Sequence, residues 1–161
     1  MPLKELPLVW QALALGIIAG MRSIMAPAVA SHILSKRTSG YLAKSSLDFM
    51  QTERSAVILN IMAASELIAD KLPFTPNRTE SLSVTFRCLS GSLAGASIFK
   101  AKGGSMRTGA LLGSVAALGS TFGCYYLRKI AVEKFKLPDP LIGGIEDILT
   151  IGGGLILAAK S

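Results

Sequence analysis

The sequence predicts an all-α, polytopic membrane protein of about five transmembrane helices, and three observations support this. Half of the 161 residues are hydrophobic and only 17% are charged, with a mean hydropathy of +0.50. Apolar segments long enough to cross a bilayer recur along the chain. The basic residues behind the net charge of +7 stand in short groups between those segments. We therefore expect one transmembrane domain over residues 1–161, in contact with the lipid bilayer and with no nucleic acid.

The first three predicted spans are bounded by turn residues and charges. The first span follows Pro7 and carries Trp10 near its start, as suits an interface. A polar connector separates it from a short second span, which ends before Pro73 because proline disfavours helix at the residue preceding it. The third span ends at Gly103 and Gly104. These predicted spans are Leu8–Leu34, Ser55–Lys71 and Glu80–Ala101.

Two further spans complete the prediction. The fourth, Met106–Phe135, is the longest, and its charged last third must emerge into water. The fifth, Leu141–Ala159, follows two prolines and is expected to be interrupted by glycine pairs and triplets. An odd number of spans places the termini on opposite sides of the membrane. Basic residues divide almost evenly between the two sides, so the orientation is not predicted.

Six charged residues lie inside these apolar segments. Each costs at least roughly 2.5 to 3.5 kcal/mol to place in hydrocarbon, so a shared role is expected. Counting about 1.5 Å per residue puts them in or near one half of the membrane, close enough to form one cluster. The candidate binding residues for an ion or substrate are Arg22, Glu66, Asp70, Arg87, Glu146 and Asp147.

Two interpretations of this charged set stay open. The residues are either ion pairs that hold helices together, or the lining of a hydrated vestibule for a cation, a proton or a polar solute. Pro27 and the glycines of the fifth span favour the second interpretation, because broken helices beside buried charge are common in transporter sites. In either case we expect Arg22 to pair with a carboxylate of another helix, with Glu66 or Asp70 favoured.

Glycines recur at four-residue spacing in three of the spans. The pairs are Gly16 with Gly20, Gly91 with Gly95, Gly109 with Gly113, and Gly119 with Gly123. Lipid gives helices no hydrophobic reason to associate, so contact has to come from close backbone approach. We expect glycine-mediated packing within the chain, with a homodimer as the alternative use of one of these faces.

Motifs for catalysis, metal binding or cofactors are absent from the sequence. There is one histidine, and no HExxH, GxSxG or P-loop pattern. The two cysteines, Cys88 and Cys124, stand in apolar segments without a second ligand nearby. We expect no enzyme, no catalytic residue, no metal and no cofactor.

Several elements together resemble a known family. These are Gly20-Met21-Arg22-Ser23 with Pro27, Glu66-Leu67-Ile68-Ala69-Asp70-Lys71-Leu72-Pro73, Ser90 to Ala96, and Leu137 to Pro140 with Glu146-Asp147. The chain resembles, over nearly its whole length, small bacterial membrane proteins classed as a domain of unknown function, number 4126. The resemblance implies a multi-pass protein of the bacterial inner membrane and supplies no substrate.

These observations give one leading function and two alternatives. A small ion or solute transporter or channel with an intramembrane charged cluster leads. A structural or assembly protein with purely structural ion pairs is the alternative, and a lipid-modifying enzyme is third.

Overall fold

The computed structural model describes residues 6–69, 81–134, 136 and 138–161. Over these residues the chain is helical, without a β-strand, so the all-α prediction is confirmed. The elements are α1 (Leu8–Met21), α2 (Met25–Lys36), α3 (Gly40–Ala43), a 3-10 helix (Asp48–Gln51), α4 (Glu53–Ala69), α5 (Ser81–Ala101), α6 (Met106–Glu133) and α7 (Asp139–Lys160). The predicted turn around Pro73 and Pro76 lies outside the described residues.

Three of the described helices are long and apolar enough to cross a membrane. They are α5, α6 and residues Leu141–Lys160 of α7. Helix α1 is also apolar, but its 14 residues span only about 21 Å of the roughly 30 Å hydrocarbon core. The fold is that of a helical membrane protein, and the predicted count of five spans is approximate.

The predicted first span, Leu8–Leu34, is wrong as a single helix, because the chain turns back on itself between α1 and α2. A Cβ built on Gly153 of α7 would lie 3.9 Å from Ile18 Cδ1, and one on the adjacent Gly154 would lie 2.8 Å from Val29 Cγ2. In one continuous helix, Ile18 and Val29 would be about 16 Å apart along the axis. Helices α1 and α2 therefore form a hairpin.

The turn of this hairpin lies at Arg22, Ser23 and Ile24. Arg22 ends α1 with an extended backbone (φ −139°, ψ 115°), and α2 begins one residue after Ile24. Pro27 is the third residue of α2, where a missing backbone N–H is tolerated since first-turn N–H groups have no partner within the helix. The break thus precedes the proline.

The two ends of the described chain meet at one end of the bundle, which we call the terminal end. The backbone N–H of Leu6 donates to the carbonyl oxygen of Lys160 at 3.3 Å. Arg37, directly after α2, donates to the carbonyl oxygen of Ser161. The expectation that the termini lie on opposite sides is therefore wrong, because the hairpin adds one more reversal of direction.

Successive long helices alternate in direction as a result. The hairpin turn lies at the opposite end, which we call the hairpin end, where α1, α4 and α6 arrive and α2, α5 and α7 depart. The polar connector forms α3 and the 3-10 helix at the terminal end, where Ser31 Oγ donates to the Met50 carbonyl oxygen at 2.8 Å. Helix α7 is continuous through its glycines, contrary to the predicted interruption.

Glycines bring α1, α5 and α6 into close backbone contact. A Cβ on Gly113 of α6 would overlap the carbonyl oxygen of Gly91 on α5, and one on Gly95 would overlap that of Gly109. A Cβ on Gly16 of α1 would likewise overlap the Gly113 carbonyl oxygen. Gly119 of α6 differs, since a Cβ there would contact nothing within 4 Å.

The difference between Gly113 and Gly119 gives a matched pair of substitutions in one helix. We expect Gly113→Ala to lower the thermal stability of the protein in detergent, because α5 must move away from α6. Gly119→Ala adds the same methyl group in open space and should be neutral or stabilising by up to about 1 kcal/mol from helix propensity. Equal melting temperatures for the two variants would contradict the close contact.

The shared end of the termini can be tested by reporter fusions. A topology reporter on the N-terminus and one on the C-terminus should both report the same side of the membrane, because the chain runs between the two ends of the bundle an even number of times. A third reporter inserted after Lys136, in the connection between α6 and α7, should report the other side. Termini on opposite sides would contradict the hairpin.

Candidate functional site

The turn of the α1–α2 hairpin is the point on which the charged residues converge. Both helices have backbone groups there without partners within the helix, at the end of α1 and the start of α2. Hydrocarbon offers no hydrogen bonds, so irregular backbone at membrane depth has to be satisfied by protein groups or by water in a cavity. Side chains from α4, α5 and α6 supply such partners, and a side chain of α7 pairs with Arg22.

Glu66 of α4 satisfies the start of α2. Its Oε1 accepts from the backbone N–H of Ser23 and its Oε2 from that of Ile24, each at 2.8 Å. A carboxylate at a helix N-terminus is favoured twice, by charge-assisted hydrogen bonds and by the positive end of the helix dipole. The N-cap residue of α2, Ile24, makes no side-chain cap hydrogen bond. Glu66 of α4 therefore caps α2 in its place.

Arg87 of α5 and Thr121 of α6 satisfy the end of α1. The Gly20 carbonyl oxygen accepts from Arg87 Nη1 at 2.5 Å, and Thr121 Oγ1 lies 3.3 Å from it while sharing its one proton with the Ala117 carbonyl oxygen at 2.8 Å. Arg87 is 5% exposed, so its charge is held inside the bundle. The negative end of the α1 dipole stabilises that charge, complementing Glu66 at the start of α2.

Arg22 connects the hairpin turn to α7. Its Nε donates to Asp147 Oδ1 at 2.9 Å, and its Nη2 donates to the same oxygen. The expected pairing of Arg22 with a carboxylate of another helix is confirmed. Glu66, one of the two favoured partners, was the wrong choice. Glu66 is bound to the backbone of the turn, and Asp147 is a partner of Arg22. Asp70 lies outside the described residues.

Glu146 faces the neighbouring helix α6. It is 6% exposed, and its Oε2 lies 3.9 Å from Arg128 Nη1. A cavity of about 370 Å³ between α6 and α7 is lined by both of these residues and by apolar side chains such as Met21 and Leu149. This ion pair is longer than a hydrogen bond and borders open space.

The structure thus brings together five of the six predicted residues and adds others. Arg22, Glu66, Arg87, Glu146 and Asp147 all lie around or beside the hairpin turn. Arg128 was missed because its position in the last third of α6 suggested water rather than a partner. Thr121 and the Gly20 carbonyl oxygen carry no sequence signal, since neither is charged.

The chemistry open to this site is that of carboxylates and guanidinium groups. Among the described residues, no group of three or more His, Cys, Asp or Glu side chains is placed to hold a metal ion. Carboxylates near a cavity can take up protons or monovalent cations, and guanidinium groups bind anions.

Comparison with known proteins gives a family. Residues 9–160 match the model of a family described as Domain of unknown function (DUF4126). The chain belongs to this family. The resemblance inferred from the sequence motifs is therefore confirmed, and the match covers every element from α1 to α7. No curated protein and no solved structure matches the chain.

The Arg22–Asp147 pair yields a stability prediction. Asp147→Asn removes a counter-charge from a buried guanidinium and should destabilise the protein by up to about 3 to 5 kcal/mol. Glu133→Gln at the exposed end of α6 removes the same type of charge and should change stability by less than about 0.5 kcal/mol. Thermal unfolding in detergent measures both variants.

The double variant Arg22→Met with Asp147→Leu provides the second arm of that test. It removes both charges of this pair at once and should regain part of the stability lost in Asp147→Asn. A double variant as unstable as the sum of the two single variants would contradict a direct interaction between the two side chains.

Proposed function

We propose that this protein is a small transporter or channel for an ion or a small solute, with its binding site at the turn of the α1–α2 hairpin. The observation that carries the proposal is a helix break inside an apolar bundle, surrounded by charged side chains from α4, α5, α6 and α7. Discontinuous helices with charged partners at membrane depth are a recurrent way of building transporter sites.

The depth of the turn supports this function. Trp10, which is 62% exposed, suits an interface near the start of α1. The 14 residues of α1 then carry the turn about 21 Å into a hydrocarbon core of roughly 30 Å. A permeating ion would therefore meet the charged cluster inside the membrane rather than at its surface.

Among the carboxylates, Glu146 is the best candidate for the exchangeable group. Glu66 and Asp147 hold the hairpin turn, so their loss would alter the fold. Glu146 instead borders the cavity between α6 and α7, opposite Arg128. Proton or cation binding at Glu146 would compete with its attraction to Arg128, which couples occupancy of the site to the contact between α6 and α7.

A structural or assembly role is the second candidate, and a specific observation favours it. Glu66, Arg87 and Asp147 each contact the hairpin turn at hydrogen-bonding distance. These contacts account for three of the charges as supports of the fold. In that case Glu146 and Arg128 would hold α7 against α6.

The remaining parts of the proposal concern the setting. We place the protein in a bacterial inner membrane as a non-enzymatic, multi-pass component surrounded by lipid. A homodimer of this chain within the membrane is proposed as well.

Flux measurements in proteoliposomes test the transport function. Purified protein should conduct at least one of protons, alkali cations, divalent cations or small anions, and Glu146→Gln should reduce that flux by about tenfold or more while the protein stays folded. Glu133→Gln, at the exposed end of α6, is the matched control and should keep the flux.

The two candidate functions give different results in this experiment. Absence of flux for every ion with the unaltered protein, together with a lowered melting temperature for Glu146→Gln, would support the structural role. Flux that survives Glu146→Gln would show that this carboxylate is not the exchangeable group.

A further inference from the structure

Helix α4 lies at the edge of the bundle and presents an exposed apolar face to the membrane. It packs mainly against α2 and the 3-10 helix. On its outer side, Val57, Ile61 and Ile68 are each more than half exposed. Ala64 is exposed between them. We call these four positions the outer face of α4.

The outer face has the spacing of a helix–helix contact. Its positions follow one another at intervals of four, three and four residues, which is the heptad pattern of packed helices. Ala64 is small and lets a second helix backbone approach closely. Lipid tails can also cover an apolar face, so a polar group has to identify the occupant.

Asn60 is such a polar group, and it lies beside the outer face. It precedes Ile61 directly and Ala64 by one helical turn, and its side chain is exposed. Its Nδ2 donates to the Ala56 carbonyl oxygen at 2.7 Å, whereas its Oδ1 accepts no hydrogen bond from any described residue. A side-chain amide has two N–H donors and one oxygen acceptor. The acceptor and the second N–H are therefore available to a partner outside the chain.

The depth of Asn60 makes these available groups costly. Helix α4 runs from the terminal end to the hairpin turn, where Glu66 caps α2. Asn60 precedes Glu66 by about 9 Å along the axis, so it lies between the terminal interface and the turn, inside the hydrocarbon core. Lipid tails neither donate nor accept hydrogen bonds, and polar side chains at this depth pair with another helix.

We propose that the outer face of α4 is the contact between two copies of this chain, with Asn60 hydrogen-bonded to Asn60 of the second copy. An amide is self-complementary, because its N–H donates and its oxygen accepts. Two copies in the same orientation, related by a two-fold axis along the membrane normal, bring the two amides together at one depth. This interface rests on the homodimer in the proposed function and is independent of ion transport.

Disulfide cross-linking in native membranes tests the interface. In a background with Cys88→Ser and Cys124→Ser, Ala64→Cys should give a cross-linked dimer under mild oxidation, because the two-fold axis brings the same position of both copies together. Met62→Cys is the matched control. It is also exposed, lies about 160° away around the axis of α4, and should stay monomeric.

The contribution of Asn60 is measured as the affinity of the dimer in lipid. Single-molecule photobleaching of labelled protein, reconstituted at decreasing protein-to-lipid ratios, gives that affinity. Asn60→Leu should weaken the dimer about tenfold, because the hydrogen bonds between the copies are lost. Asn60→Gln keeps the amide and should retain part of the affinity. Thr85→Leu, at an exposed residue of α5 whose hydroxyl donates to the Ser81 carbonyl oxygen, should leave the affinity unchanged.

Three results would overturn this interface. They are cross-linking of Met62→Cys as efficient as that of Ala64→Cys, dimerisation of Asn60→Leu as tight as that of the unaltered protein, and an unaltered protein that is monomeric at every protein-to-lipid ratio. The first two reject the interface and leave a homodimer standing, whereas the third rejects both. Ion flux enters none of these measurements, so transport is judged separately.

Discussion

The structure depends on one constraint, which is that no backbone polar group can be left without a partner inside hydrocarbon. The α1–α2 hairpin breaks the regular hydrogen-bond pattern at Arg22, Ser23 and Ile24. Side chains of neighbouring helices supply hydrogen-bond partners for the backbone groups at that break. Glu66 lies at the start of α2 and Arg87 at the end of α1. Each charge is opposite in sign to the end of the helix dipole that it faces. Charges that are costly in a membrane are here the groups that make the turn stable.

The glycine contacts help to place one of these charges, the Arg87 guanidinium, at the end of α1. Arg87 reaches the Gly20 carbonyl oxygen because α5 and α1 both lie close to α6. That closeness exists where Gly91 and Gly113 meet without side chains between them. Larger residues there would separate the helices and draw the guanidinium away from the end of α1. The position of the Arg87 charge therefore depends on the close packing of the helices.

The sequence was sufficient to predict the membrane class, four of the helices and five charged residues that lie at or beside the hairpin turn. Charges are visible in an apolar segment. The glycine spacing alone does not identify a contact face, since Gly119 and Gly123 have the same spacing and a Cβ on either would contact nothing within 4 Å. The hairpin was missed because Leu8–Leu34 is apolar enough to pass for one span, although it is longer than the roughly 20 residues that a span requires. That excess length, with Arg22 near its middle, was the available signal.

The partners of the charges could not be predicted, since pairing depends on which helices are neighbours. Once the first span folds back, Arg22 lies beside α7 and Glu66 faces backbone N–H groups instead of a cation. Arg87 donates to a backbone carbonyl oxygen, and since every residue has one, the sequence does not identify this acceptor. Spacing along the chain places a residue at a depth in the membrane, but the identity of its neighbour requires the direction of every helix before it.

The pairing of Arg22 with Asp147 also orders the assembly of the protein in time. The two residues are 125 positions apart, so a ribosome completes the hairpin long before it makes Asp147. A guanidinium is costly in lipid, and Asp147 lowers that cost only after α7 has been made. The contact between the hairpin turn and α7 is therefore formed late, after the helices between them have been synthesised.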